Sequence, residues 1–116
     1  MQLEHELRGD LLEITVQADR IDAASAIYLK DQFKAATADH GGRVVMDMGQ
    51  VAFMDSSGLG AMVAALKLLG GRKLELAGLS PTVNKVFTLT RMDKVFVLHN
   101  CMGDAATYGE DDSTAA

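Results

Sequence analysis

Apolar and polar positions alternate at the start of the chain and later recur every three to four residues. That change of period predicts an α/β fold. Residues 2–8 and 11–17 alternate as strands do, with Leu12, Ile14 and Val16 set against Leu11, Glu13 and Thr15. Gly9-Asp10 between them supplies a tight hairpin turn. Asp22-Ala23-Ala24-Ser25 opens a helix, with Asp22 or Ser25 as its cap. Ala26, Leu29, Phe33 and Ala36 share one face of it until Gly41-Gly42 ends the segment. Val44-Val45-Met46 reads as a short apolar strand running into Asp47. A second helix follows Asp55 and stops at Gly70-Gly71, and Leu74 to Ala77 is another strand. Ser80-Pro81 starts a third helix whose buried face is Val83, Val86 and Phe87. Val95 to Leu98 make a last strand, and residues 104–108 a final helical turn or two.

Strands separated by single helices pair in parallel. The expected fold is therefore α/β: one domain over residues 1–109, with a mixed four- to five-stranded sheet. Its N-terminal hairpin is antiparallel, its later strands are parallel, and its helices lie mainly on one face. Residues 110–116 read as an acidic, disordered C-terminal tail.

Composition narrows the partners. A chain of 116 residues builds one core, not two. The net charge of −5 and singly scattered Lys and Arg argue against nucleic acid as a partner. The apolar run Leu59 to Leu69 is interrupted by Lys67 and falls short of the roughly 20 residues of a membrane span, so no membrane insertion is expected. MQLEHELRGD is too polar for a signal peptide, and the one cysteine, Cys101, has no internal partner. Both point to a cytoplasmic protein with an inert thiol. His5, His40 and His99 lack metal-ligand spacing, so neither metal nor cofactor is expected.

The chemistry concentrates in Phe53-Met54-Asp55-Ser56-Ser57-Gly58-Leu59-Gly60, an acid and two hydroxyls ahead of an apolar helix. A serine here can cap the helix through the N–H of Leu59 or Gly60, and one serine is enough for that; Ser56 is the one assigned this structural role. Gly58 and Gly60 each weaken the first turn by about 1 kcal/mol relative to alanine, which suggests that something approaches the backbone closely. Leu59, Met62, Val63 and Leu66 form one apolar stripe, and Ala61, Ala64, Ala65 and Leu68 a second. Such a helix is either covered on both sides or docks a partner.

The run Met46 to Gly60, MDMGQVAFMDSSGLG, resembles the signature of bacterial anti-sigma-factor antagonists, within the wider family of STAS domains shared with sulfate transporters. Arg20-Ile21-Asp22-Ala23-Ala24 resembles the acidic turn before that family's first helix. Gly78-Leu79-Ser80-Pro81 with Val83 and Phe87 resembles its third helix, and Val95-Phe96-Val97 its last strand. The resemblance implies a STAS-like domain acting as an anti-sigma-factor antagonist by partner switching. The unmodified form would bind an anti-sigma factor that is also a serine kinase of the histidine-kinase-like ATPase type. Phosphorylation of Ser57 would abolish binding, and a serine phosphatase would restore it. Asp22, Asp55, Ser56 and Gly58 would flank the phosphosite, and Leu59, Gly60, Ala61 and Met62 would meet the partner. Two places depart from the family pattern. Asp19 stands where glycine is frequent, adding a negative charge near the serine turn, and the last helix is curtailed around residues 103–109.

Two other functions compete. A non-switching STAS subunit, for instance of a lipid-transport complex, needs docking but no phosphate. An enzyme with Ser57 as nucleophile needs a base partner, and no Gly-x-Ser-x-Gly motif supports one. Catalytic residues are accordingly not expected.

Overall fold

The alternation of the first residues becomes strands β1 (Gln2–Arg8) and β2 (Leu11–Gln17), an antiparallel hairpin with Leu3 opposite Val16 and Leu7 opposite Leu12. Gly9 turns it with φ +61°, a left-handed conformation that suits glycine. The computed structural model describes residues 1–107. The expected tail, 110–116, lies outside them, as do the last two residues of the expected domain. After the hairpin come a two-residue strand β3 (Arg20–Ile21), helix α1 (Ala23–Thr37), strand β4 (Arg43–Asp47) and a second two-residue strand β5 (Phe53–Met54). Helix α2 (Ser56–Leu68), strand β6 (Leu74–Ala77) and helix α3 (Pro81–Leu89) follow. A 3₁₀ turn at Met92–Lys94, strand β7 (Val97–His99) and helix α4 (Met102–Thr107) complete the order.

The main sheet has five strands in the order β1-β2-β4-β6-β7, antiparallel at the hairpin and parallel beyond it. This is the mixed sheet that the pattern of single helices between strands predicts. Period-two alternation sorts its side chains. Leu12, Ile14, Val16, Val44, Met46, Leu74 and Leu76 join the main core with Leu29, Phe33, Met62, Val83 and Phe87 from the three long helices. Phe87 meets Phe96 edge-on at 5.3 Å, a favoured aromatic geometry. Leu11, Val45 and Ala77 point to the other face and are covered by Ala105 and Met102 of α4.

Several boundaries differ from the sequence reading. The last strand begins at Val97, not Val95, because Arg91 at φ +61° and the 3₁₀ turn draw Val95 and Phe96 into a loop. The pair β3 and β5, parallel with Arg20 beside Phe53 and Ile21 beside Met54, is absent from the sequence reading. Two residues are too few to show a period. On the outer edge of the sheet, Gln32 of α1 accepts a hydrogen bond from the Leu3 N–H at 2.9 Å.

Candidate functional site

The small β3/β5 pair sets the geometry of the serine turn. Each of its strands runs directly into a helix, so the next residue on each chain, Asp22 and Asp55, stands at the N-terminus of α1 and α2 respectively. Asp22 Oδ1 accepts from the N–H groups of Ala24 (3.1 Å) and Ser25 (3.2 Å), and Ser25 Oγ accepts from the Asp22 N–H at 2.9 Å, closing a capping box. Asp55 Oδ1 accepts from the Gly58 N–H at 2.9 Å. Two carboxylates thus sit at two neighbouring helix N-termini, where the partial positive charge of the dipole favours them. Of the two caps offered for α1, Asp22 is the one formed, with Ser25 as its reciprocal partner.

For α2 the cap is Asp55, not Ser56. Asp55 holds the extended backbone (φ −101°, ψ −174°) that a capping residue needs, which leaves Ser56 and Ser57 inside the first turn. Both serines are exposed, and neither side chain makes a hydrogen bond among the described residues. The Ser57 hydroxyl is therefore open to solvent and unengaged, one residue ahead of Gly58.

Gly58 is where the sequence reading needs its main correction. It is buried, and a Cβ there would run into the carbonyl oxygen of Ile21. The close approach inferred from this glycine is internal: β3 lies against the first turn of α2, and the Ile21 carbonyl also accepts from the Asp55 N–H at 3.3 Å. Gly60 is different, being exposed with nothing within 4 Å of an added Cβ. Of the residues expected to meet a partner, Met62 is fully buried and Ala61 is 7% exposed, so both belong to the core. Leu59 is half-buried, and Gly60 alone of the four is exposed. The two-stripe helix is covered on one side by the sheet and on another by α1.

Exposed apolar side chains that the sequence reading missed lie on the two elements β5 and α1. Phe53 of β5 is 42% exposed, and the Arg20 guanidinium lies over its ring, 5.3 Å from the centroid. Ile27 and Tyr28, in the first two turns of α1, are 69% and 61% exposed. Their signal was available: with Ala23 and Ala24 they repeat at i, i+4 on the side of α1 away from Leu29 and Phe33.

Among the described residues no hydrogen bond joins Ser57 to a base. His40 Nε2 is bonded to the Arg43 carbonyl (2.9 Å), and His99 Nε2 lies 2.8 Å from Glu75 Oε1. Glu75 itself is a second feature missed, a charge on a strand whose every residue is buried. Its carboxylate accepts from Arg43 Nε at 2.9 Å and Nη2 at 2.6 Å, and Arg43 Nη2 also donates to the Ala105 carbonyl at 2.8 Å. Burial pushes the Glu75 carboxyl up, but hydrogen bonds from Arg43 and His99, then their charges, bring it below its usual value. This cluster ties α4 to the sheet on the face away from the serine turn. Among the described residues no helix is long and apolar enough to cross a membrane.

Comparison with known proteins follows the same lines. Residues 2–105 match the STAS domain. The anti-sigma-B factor antagonist of Listeria monocytogenes is 33% identical over 97 residues, spanning 82% of this chain and 84% of that one. An anti-sigma factor antagonist from Mycobacterium paratuberculosis superposes with a TM-score of 0.81 at 27% identity, covering 92% of each chain. SpoIIAA of Bacillus in its phosphorylated form gives a TM-score of 0.61 at 18% identity, over 85% of this chain and 92% of that one, a likeness of fold. The chain belongs to the STAS domain family, among relatives that are anti-sigma-factor antagonists.

Proposed function

We propose that this protein is an anti-sigma-factor antagonist that works as a phosphorylation-controlled docking module in the cytoplasm. The observation that carries the proposal is Ser57, exposed and with no side-chain hydrogen bond among the described residues, on the first turn of the helix that Asp55 caps. Unmodified, the protein docks on an anti-sigma factor that is also a serine kinase of the histidine-kinase-like ATPase type, releasing the sigma factor. The kinase transfers the γ-phosphoryl group of ATP to Ser57 Oγ, which loses its proton, and ADP leaves. A serine phosphatase hydrolyses the ester and resets the cycle.

The docking face differs from the one read off the sequence. Ser56, Ser57 and Gly60 form its centre with the half-buried Leu59, and Phe53, Ile27 and Tyr28 give it apolar area. A bare Gly60 leaves room for a partner's backbone at a helix position where alanine would be about 1 kcal/mol more favourable.

Phosphate on this face acts as a veto. It adds about −1.5 to −2 charges beside Asp22 and Asp55. The α2 N-terminus favours that charge by about 0.3–1 kcal/mol, and the two carboxylates oppose it, so the free domain keeps its fold. Inside an interface, the dianion has to shed water at a cost of several kcal/mol, and about 1.4 kcal/mol is already tenfold in affinity. Intact-mass analysis of the protein from its native host tests the reading: a phosphate adduct lost in Ser57→Ala supports it, and its absence under every growth condition refutes it.

A further inference from the structure

The charge of a phosphoserine has to be met by something, and the sequence around this turn offers one candidate. Between Asp19 and Tyr28, and between Val51 and Leu66, Arg20 is the single Lys or Arg. The acids there are Asp19, Asp22 and Asp55. Residues 20–22 run directly against the first turn of α2, with the Ile21 carbonyl against Gly58 and bonded to the Asp55 N–H. Arg20 therefore projects from a backbone that is fixed relative to Ser57.

Its present contacts are weak ones. Arg20 Nη1 is 3.8 Å from Asp22 Oδ2, beyond hydrogen-bond distance, and its side chain is 61% exposed. Exposed ion pairs of this kind contribute little, and the stacking on the exposed Phe53 ring is of the weaker, solvated sort. A guanidinium has five donors in a planar fork suited to phosphate oxygens, and here Asp22 engages none of them closely.

We propose that Arg20 is the counter-ion of the modified serine. In the unmodified protein it rests over Phe53 and beside Asp22. When Ser57 carries a phosphate, the larger charge and three acceptor oxygens draw the guanidinium away from the ring. The modified protein thus changes its docking face in two ways: a dianion appears, and the cation leaves the aromatic surface. The proposal rests on Ser57 as the phosphosite and deepens that reading by naming the residue that answers the phosphate.

The test needs no partner. The whole chain is made with phosphoserine incorporated at position 57, as wild type, Arg20→Lys and Arg20→Gln. The second ionisation of the phosphate is followed by ³¹P NMR at low salt. The expected midpoint is several tenths of a pH unit lower in wild type than in Arg20→Gln, with Arg20→Lys between them, because a nearby cation favours the dianion. The Phe53 ring resonances move on phosphorylation in wild type and stay in place in Arg20→Gln. Equal midpoints in wild type and Arg20→Gln overturn the proposal. Because the phosphoserine is built in at position 57 without any kinase, that failure leaves the phosphosite reading intact, and the native-host mass measurement decides the phosphosite reading separately.

Discussion

Two glycines in the first turn of α2 make opposite demands, and the same substitution separates them. At Gly58 an added methyl meets the Ile21 carbonyl, backbone that cannot swing aside, next to an Ile21 side chain that is fully buried. Relief requires β3 and α2 to part, which strains the Asp55 N–H bond to the same carbonyl. Because the clash is with backbone rather than with a side chain that can turn away, its cost falls in the upper part of the overpacking range, about 2–3 kcal/mol, offset by about 1 kcal/mol of improved helix propensity. Gly58→Ala should therefore lose on the order of 1–2 kcal/mol. At Gly60 the methyl enters open space, so only the propensity gain of about 1 kcal/mol remains. Urea unfolding of both variants and wild type, with m-values held equal, reads the two signs directly. The distinguishing result is functional: Gly60→Ala should be the more stable protein yet bind its kinase partner less tightly. A destabilised Gly60→Ala, or a Gly58→Ala as stable as wild type, would refute the assignment of one glycine to internal packing and the other to the docking face.

Other outcomes follow from the same geometry. Ser57→Asp should weaken kinase binding at least tenfold while Ser57→Ala binds as wild type, with amide chemical-shift changes confined to the α1 and α2 N-termini; shifts spread over the sheet would indicate a conformational relay instead. Asp55→Ala should cost about 1 kcal/mol as a lost cap, measured by thermal or urea unfolding, and Asp55→Asn much less. Glu75→Gln should destabilise by about 2–3 kcal/mol at neutral pH, less than a fully buried break because the Arg43 side chain is 31% exposed. The Glu75 carboxyl is lowered on folding, so its contribution is present above the unfolded-state value and fades as pH falls through the folded one. The stability gap between wild type and Glu75→Gln should accordingly stay constant from neutral pH to about 5 and narrow below about 4.5, as unfolding midpoints at each pH would report.

The fold was largely legible because its signals are long. Seven-residue alternations in the hairpin, Ser80-Pro81 before α3 and a single helix between successive strands each leave a mark that survives without coordinates. The site was legible in part. Asp22 and Asp55 stand out as acids before helices, and their capping bonds are local. What stayed hidden depends on contacts far apart in sequence. Gly58 and Gly60 look alike as letters, and only the Ile21 carbonyl, thirty-seven residues upstream, tells them apart. Met62 reads as surface or core with equal ease until the sheet and α1 are placed over it. Glu75 announces nothing in Leu74-Glu75-Leu76-Ala77, because its partners Arg43 and His99 come from neighbouring strands.

The bond from the Leu3 N–H to Gln32 has a consequence for how this molecule keeps company with its own kind. An outermost strand is an invitation for further strands to stack on, and proteins that expose one tend to clump. Here the first outward-facing rung is already occupied by an amide from the helix behind it. Glu4 and Glu6, further along the same strand, would meet like charges in an incoming copy. The β1 edge is thus guarded against further copies of the chain while leaving the helix face free for the proposed partner.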